Sequence, residues 1–329
     1  MLVVSLGSTG GLRAADEELA ASLGRAGVAA AIVWPNPPAP VRTLMLTDLR
    51  WAYASRQATV GWLRSNSARA IVYSTTTAAM PWPRPGAIRF DALSSGNRPG
   101  RHGLWQRPLE RRRVGQAPLL LPWSEAARGE LGSAAAGERT LVLPVPVEPS
   151  GESVPRDLAA IAYVAHPAKK GLDRILRAWS VARRPDEELV LVGASAGQLR
   201  RLGYAVPADG VRVEPMLPYD DYRALLRRAR VFVCAARRED YGIAQLEALA
   251  DGCRLVTVPS PGPYVALPIA RRLDGRLVGE DLTTQLRVAL DDPRPGYSGE
   301  ALRALGPFRR VEADRLVAEE LLPRLLPRG

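Results

Sequence analysis

The sequence predicts an α/β protein made of two doubly wound parallel sheets. Three observations carry this. Short apolar runs of strand length alternate with amphipathic, helix-length segments from one end to the other. The 329 residues, at roughly 100–200 per domain, suggest two domains. Finally, residues 144–157 hold four prolines with Ser150 and Gly151, after which the alternation starts afresh.

The first half opens on a buried strand, Leu2–Leu6, which Gly7, Gly10 and Gly11 interrupt. Helical spacing follows over 13–25, with Leu19 and Leu23 on one face and Asp16, Glu17 and Glu18 in the early turns. Gly27 is placed to cap it, and Ala29–Trp34 reads as the second strand. A helix over 49–63, strands at 70–74 and 87–90, a polar loop from Ser94 to Gly103, a strand at 119–121 and a helix at 125–131 behind Ser124 complete this half. The second half reads as strands at 160–165, 189–192, 211–214, 231–235 and 254–258. Helices alternate with them at 171–182, 198–202, 219–228 and 243–250, and a closing helix is expected over 306–322. The boundaries this sets are 1–147, 148–305 and 306–329.

Composition excludes several classes. Hydrophobic residues make up 47% and charged residues 24%, ordinary for a globular protein, and no apolar run approaches the ~18 residues of a membrane span. No signal peptide is read at the start and there are only two cysteines, Cys234 and Cys253, which predicts a cytoplasmic protein without disulfides. The net charge of +11 attracts anions. The 6% aromatic content and the dispersed arginines argue against nucleic acid. The run at 110–113 reads either as a solvated helix face or as a point of contact with an anionic membrane. The glycines at 7, 10 and 11 do not form the dinucleotide fingerprint, and the second strand ends at Trp34 without an acid for a ribose. A P-loop, a nucleophile elbow and a zinc cluster are all missing from the sequence.

The informative stretch is 231–252. A strand delivers Glu239 to a sheet edge, Gly242 lets backbone pass close to a ligand, and a helix begins whose first N–H groups are unbonded. Glu247 lies about one turn in. Two carboxylates and a row of amides therefore suit a ligand bearing hydroxyls and phosphate. By spacing alone a capped helix with two solvated acids explains the pattern equally.

Glu239 and Glu247 with seven residues between them, followed by Ala248-Leu249-Ala250-Asp251-Gly252, resemble the signature of retaining GT-B glycosyltransferases of family 4 (glycosyl transferases group 1). Lys170-Gly171-Leu172-Asp173, the strand ending at Gly193 and the turn from Val213 to Leu217 are similar to that family's segments, in the same order. The resemblance implies two Rossmann-like domains facing across a cleft, the first binding an acceptor and the second a nucleoside-diphosphate sugar. It implies transfer of a hexosyl group with retention of configuration, without metal or cofactor, to a glycan, lipid-linked or small-molecule hydroxyl.

The roles it implies are as follows. Glu239, Lys170 and Asp91 would do the chemistry: sugar contact, neutralisation of the diphosphate, and orientation of the acceptor. Glu247 would hold the ribose, the amides of Tyr241, Gly242 and Ile243 the sugar or phosphate, Met216 and Leu217 the base, and Gly10 and Gly11 the diphosphate. Asn97, Arg98 and His102 would meet the acceptor. Only two of the 45 basic residues are lysine, Lys169 and Lys170, so the ammonium at 170 stands out against a coding preference for arginine. The family has arginine where this chain has Ala165, and Lys169, His166 or Arg237 would replace it. That departure leaves a second reading, a degenerate nucleotide- or glycan-binding protein, and the charge leaves a third, a nucleic-acid binder.

Overall fold

The computed structural model describes residues 1–39, 41, 43–135 and 137–326. It divides into two units, residues 1–146 with 308–329, and residues 147–307.

The amino-terminal unit is built on strands β1 (Leu2–Val4), β2 (Ala31–Val33), β3 (Ile71–Tyr73), β4 (Ala87–Phe90) and β5 (Leu120–Pro122). They lie in the order β2-β1-β3-β4-β5, all parallel. The crossovers carry helices α1 (Gly10–Arg25), α2 (Leu44–Ser65), α3 (Thr76–Ala79), α4 (Ser94–Asn97), α5 (Gln106–Gln116) and α6 (Glu125–Gly129). Both faces of the sheet are covered, so β1, β3, β4 and β5 are buried throughout, and their sequences run apolar rather than alternating. Hydroxyl caps start the helices: Thr9, Thr43, Thr75 and Ser124 each accept from the N–H three residues on.

Several expectations change here. Gly10 and Gly11 are not a loop. Thr9 caps the chain there, so both glycines form the first turn of α1, three residues earlier than the apolar spacing suggests. Asp16 is not a solvated acid serving the helix dipole. It is buried beneath the sheet, bonded to the Ser5 hydroxyl and 3.4 Å from the Arg89 guanidinium, which itself stacks 4.8 Å over Trp123. Burial pushes the Asp16 carboxyl above its ordinary range, with Arg89 and Ser5 pulling it back. The segment from Ser94 to Gly103 is not a plain loop either, because α4 and a 3₁₀ turn at Gly100–Gly103 occupy it. Glu110 organises the segment by accepting from the Ser94 N–H and hydroxyl.

The carboxy-terminal unit holds β6 (Leu158–Tyr163), β7 (Leu189–Val192), β8 (Val211–Glu214), β9 (Ala229–Cys234) and β10 (Arg254–Thr257). These are again all parallel, in the order β10-β9-β6-β7-β8. Its helices are α7 (Leu172–Ala182), α8 (Ala196–Arg201), α9 (Tyr219–Arg228), α10 (Ile243–Ala250), α11 (Ala266–Asp274), α12 (Leu282–Asp291) and α13 (Tyr297–Ala304). Ser195 and Gln198 form a reciprocal capping box on α8. The strand order reverses between β6 and β9. A crevice outside the carboxyl ends of these two strands is where ligands bind in open α/β sheets.

The chain then returns to the first unit as α14 (Arg310–Leu316), a π turn at Val317–Leu321 and α15 (Leu322–Leu325). Val317 and Leu321 enter the core beside Val3 and Leu23, and Asp314 accepts from Ser22 and Arg25.

Replacing Asp16 with alanine takes the carboxylate from a buried guanidinium. Urea unfolding of Asp16→Ala should show a loss of about 3–5 kcal/mol, whereas Glu17→Ala on the exposed face of the same helix should lie within about 0.5 kcal/mol of the parent.

Candidate functional site in the carboxy-terminal unit

The loops after β6 and β9 meet at the point where the strand order reverses. The meeting depends on Gly171, which sits at φ +67° as the residue before α7; a Cβ there would lie 2.0 Å from the Ala235 carbonyl oxygen. The Arg237 N–H donates to the Lys169 carbonyl, tying the two loops by backbone. With the loops so close, Lys170 Nζ is 2.6 Å from Glu239 Oε2, and both side chains are largely buried. Burial draws the Lys170 ammonium down. Glu239, Cys234 and the direct hydrogen bond outweigh it, so the group stays above its ordinary pKa and charged.

Around this pair the charges alternate. Asp240 accepts from Lys169 at 3.3 Å and from Arg238 at 2.6 Å. Arg237 is exposed and paired with Asp173 at 2.8 Å. Partial burial of the imidazole, then the charges of Lys169 and Lys170, hold His166 below the ordinary histidine value, so it is neutral at pH 7. Of the three residues considered for the position of Ala165, Lys169 is thus the cation in direct sequence with Lys170.

Gly242 immediately precedes helix α10 at φ +93°, where a Cβ would press on the Tyr264 ring at 2.9 Å and on Gln245 Oε1 at 3.3 Å. No side chain caps it, so the first amides of the helix have no intrahelical carbonyl. Tyr241 is buried, and its carbonyl accepts from Val265 N–H. Glu247 points to α9: Tyr219 Oη donates to its Oε1 at 2.8 Å, and Arg223 Nη1 stands 4.0 Å away. Arg223 in turn bonds Asp251 at 2.7 Å, and Asp251 accepts from the Ser150 N–H and hydroxyl. Burial pushes the Glu247 carboxyl up to about 7, against the pull of Arg223 and Tyr219. Met216, exposed, and Leu217 follow β8 on the neighbouring edge, with Tyr163 Oη 3.8 Å from Met216 Sδ.

The unit therefore brings Lys170, Glu239, Gly242, Ile243 and Glu247 to one sheet edge. It also supplies Tyr219, Arg223, Asp240, Arg238 and Gln245, which motif spacing alone does not reveal. Tyr219 and Arg223 lie one helical turn apart on α9, and that spacing is the one signal that could have paired them with a common partner. Among the described residues, no group of three or more His, Cys, Asp or Glu side chains could hold a metal ion. No described helix is long and apolar enough to cross a membrane.

The remaining predicted residues belong to the amino-terminal unit. Gly10 and Gly11 open α1 behind β1, and Asp91 follows β4 with its Oδ1 accepting from Ala92 N–H. Asn97 ends α4, and His102 lies exposed in the 3₁₀ turn. Arg98 is a clamp, binding Asp48 at 2.6 Å and accepting at its carbonyl from Arg107. In the run at 110–113, Glu110 is buried and Arg113 lies over Trp82, so only Arg111 and Arg112 face outward.

Residues 155–291 match the family described as glycosyl transferases group 1. The curated proteins contain no match to the sequence. Among solved structures, the chain is similar to WaaG, a glycosyltransferase involved in lipopolysaccharide biosynthesis, with a TM-score of 0.68 and 15% identity over 97% of this chain and 100% of that one. It is similar to HepE of Anabaena in complex with UDP and glucose (TM-score 0.66, 15% identity, 97% and 98% covered). It is also similar to sucrose-phosphate synthase of Thermosynechococcus elongatus (0.64, 14%, 95% and 95%). At such identities the structural likeness speaks for the fold, which is GT-B. That family match lies within the carboxy-terminal unit, residues 147–307.

The Gly171 contact makes a stability prediction. Gly171→Ala must both hold alanine at positive φ and displace the Ala235 carbonyl, so thermal unfolding should show a loss above about 2 kcal/mol. Gly197→Ala in α8, where a Cβ would meet only Ser195 Oγ at 4.0 Å, should gain a few tenths to about 1 kcal/mol.

Proposed function

We propose that the protein is a retaining hexosyltransferase, working without metal, whose donor is a nucleoside-diphosphate sugar held by the carboxy-terminal unit. Its acceptor is a glycan, lipid-linked or small-molecule hydroxyl bound by the amino-terminal unit. The observation that carries this reading is the Lys170–Glu239 pair at the strand-order reversal, with Glu247 one turn into the helix that starts beside it. The binding of UDP and glucose by HepE, and of UDP and GlcNAc by the pneumococcal O-GlcNAc transferase GtfA, supports uridine as the base to test first.

In this reading the Lys170 ammonium and the first amides of α10 receive the diphosphate, Glu239 accepts from sugar hydroxyls, and Glu247 accepts from the ribose. Met216 and Leu217 border the base, and Lys169 adds positive charge in place of the arginine missing at 165. The acceptor oxygen bonds to the anomeric carbon on the face that the diphosphate leaves, and its proton passes to the departing phosphate oxygen. Charge grows on that oxygen as the bond breaks, and a fixed cation beside it stabilises the transition state more than the ground state. The amino-terminal unit offers a groove of about 1190 Å³ along α2, lined by Trp34, Tyr53, Trp62 and Arg50. This surface suits an acceptor with apolar and anionic parts. Arg111 and Arg112 supply outward charge for an anionic membrane.

A thermal-shift screen with UDP, GDP, ADP and TDP and their sugar conjugates tests the donor. A ligand at a hundred times its Kd should stabilise by about 2.7 kcal/mol, and no shift with any nucleotide overturns the reading. With the donor in hand, Lys170→Ala should lower kcat about 10²–10³-fold with a smaller change in donor Kd. Glu247 makes a second prediction. Ribose hydroxyls donate to the ionised carboxylate, so nucleotide affinity should fall as pH drops below the Glu247 value of about 7, approaching tenfold per pH unit. Calorimetry should find that Glu247→Gln weakens binding and removes this pH dependence.

A further inference from the structure

We infer that Gln245 is a positioning residue for the transfer reaction, fixing the Glu239 carboxylate so that one oxygen serves Lys170 and the other remains for the donor sugar. This rests on the donor reading above.

Gln245 is buried in the first turn of α10. Its Nε2 donates to Glu239 Oε2 at 3.0 Å and to Cys234 Sγ at 2.9 Å. Oε2 also receives Lys170 Nζ at 2.6 Å. Two donors from two different elements thus converge on a single carboxylate oxygen, and Oε1 of Glu239 accepts no hydrogen bond from the described residues. The amide orientation follows from chemistry, since the reverse would set Oε1 of Gln245 against a carboxylate.

The other half of the amide is the telling observation. Gln245 Oε1 is buried and has no hydrogen-bond partner among the described residues. An unmade bond on a buried carbonyl is destabilising, and an apolar side chain of the same volume would avoid it. Packing therefore does not account for glutamine here; its Nε2 bonds do. A lone ion pair would let the Glu239 carboxylate turn about its last torsion and present both oxygens to Lys170. The second donor, fixed on a helix, holds one oxygen in place. A cavity of about 10 Å³, lined by Tyr163, Lys170, Cys234, Ala244 and Gln245 among others, lies against the same amide.

The test compares Gln245→Leu and Gln245→Glu with the parent, using UDP and UDP-glucose in calorimetry and release of glucose from UDP-glucose as the rate. Gln245→Leu should leave UDP affinity unchanged. It should weaken UDP-glucose toward the UDP value and lower the rate by about ten- to a hundredfold, the range of a hydrogen bond to a charged group. In Gln245→Glu the new carboxyl sits beside Glu239, with Lys170, Cys234, Tyr163 and Tyr264 as the other titratable groups around it. Protonated, it donates to Glu239 as the amide did; ionised, it repels it. Activity should therefore be near that of the parent at low pH and fall as pH rises through this ionisation, a profile the parent lacks. A merely structural residue would shift the melting temperature without changing the pH profile or the ratio of the two affinities. Parent-like rates and affinity ratio in Gln245→Leu, or a parent-like pH profile in Gln245→Glu, overturn the inference. If Gln245→Leu does not fold, the Gln245→Glu profile decides alone. If the parent binds none of the nucleotides screened above, the donor reading itself has failed, and this inference with it.

Discussion

The approach of two loops at the reversal of strand order is the constraint on which the carboxy-terminal unit's chemistry depends. Parallel strands deliver every loop of one kind to the same edge of a sheet. Only at the reversal do the connections of two neighbouring strands run to opposite faces and leave a crevice. Here they are the loops after β6 and β9. They close to backbone contact because residue 171 has no side chain where the Ala235 carbonyl must pass. A lysine and a glutamate that are 69 residues apart in sequence consequently share a hydrogen bond. That pair is charged and largely buried, so removing either member would leave an uncompensated ion in a low-dielectric setting.

A second set of buried charges supports the first. Arg223 reaches Asp251, Tyr219 and, at longer range, Glu247, linking α9 to α10 and to the segment at Ser150. Its effect is to orient Glu247 while burial keeps that carboxyl near 7. The two glutamates thus stand in different electrical settings. Glu239 is paired with a cation at 2.6 Å, and Glu247 is held by a phenol, with its guanidinium at 4.0 Å. Such a difference in setting suits different duties for the two carboxylates. The amino-terminal unit has its own buried pair, Asp16 with Arg89, which fastens α1 to β4 beneath a parallel sheet.

Much of this was legible in the residues themselves. The two alternating α/β halves, the break near the prolines at 144–157 and helices such as 219–228 and 243–250 follow from local patterns, because strand and helix impose their own periods on apolar residues. Gly242, Glu239 and Glu247 were marked by motif spacing, which reflects backbone geometry at the ends of elements, and Lys170 by the family resemblance of its segment. The start of α1 was not legible from apolar spacing, since Thr9 capping Leu12 moves it over two glycines. Neither was the burial of Asp16, Glu110 or Arg98's partner Asp48, whose partners lie 11 to 73 residues away.

By itself, then, the sequence determined the fold class, the family signature and the identity of the groups that carry charge to the sheet edge. The tertiary structure alone decided which charges meet. Strand order is a global property: nothing local in β9 says that it lies beside β6, and so nothing local says that Lys170 donates to Glu239. The same holds for Gln245 and Glu247. They are two residues apart on α10, so helix geometry turns them to different faces. One meets Glu239 and the other meets α9, and the packing around the helix sets what each side chain does.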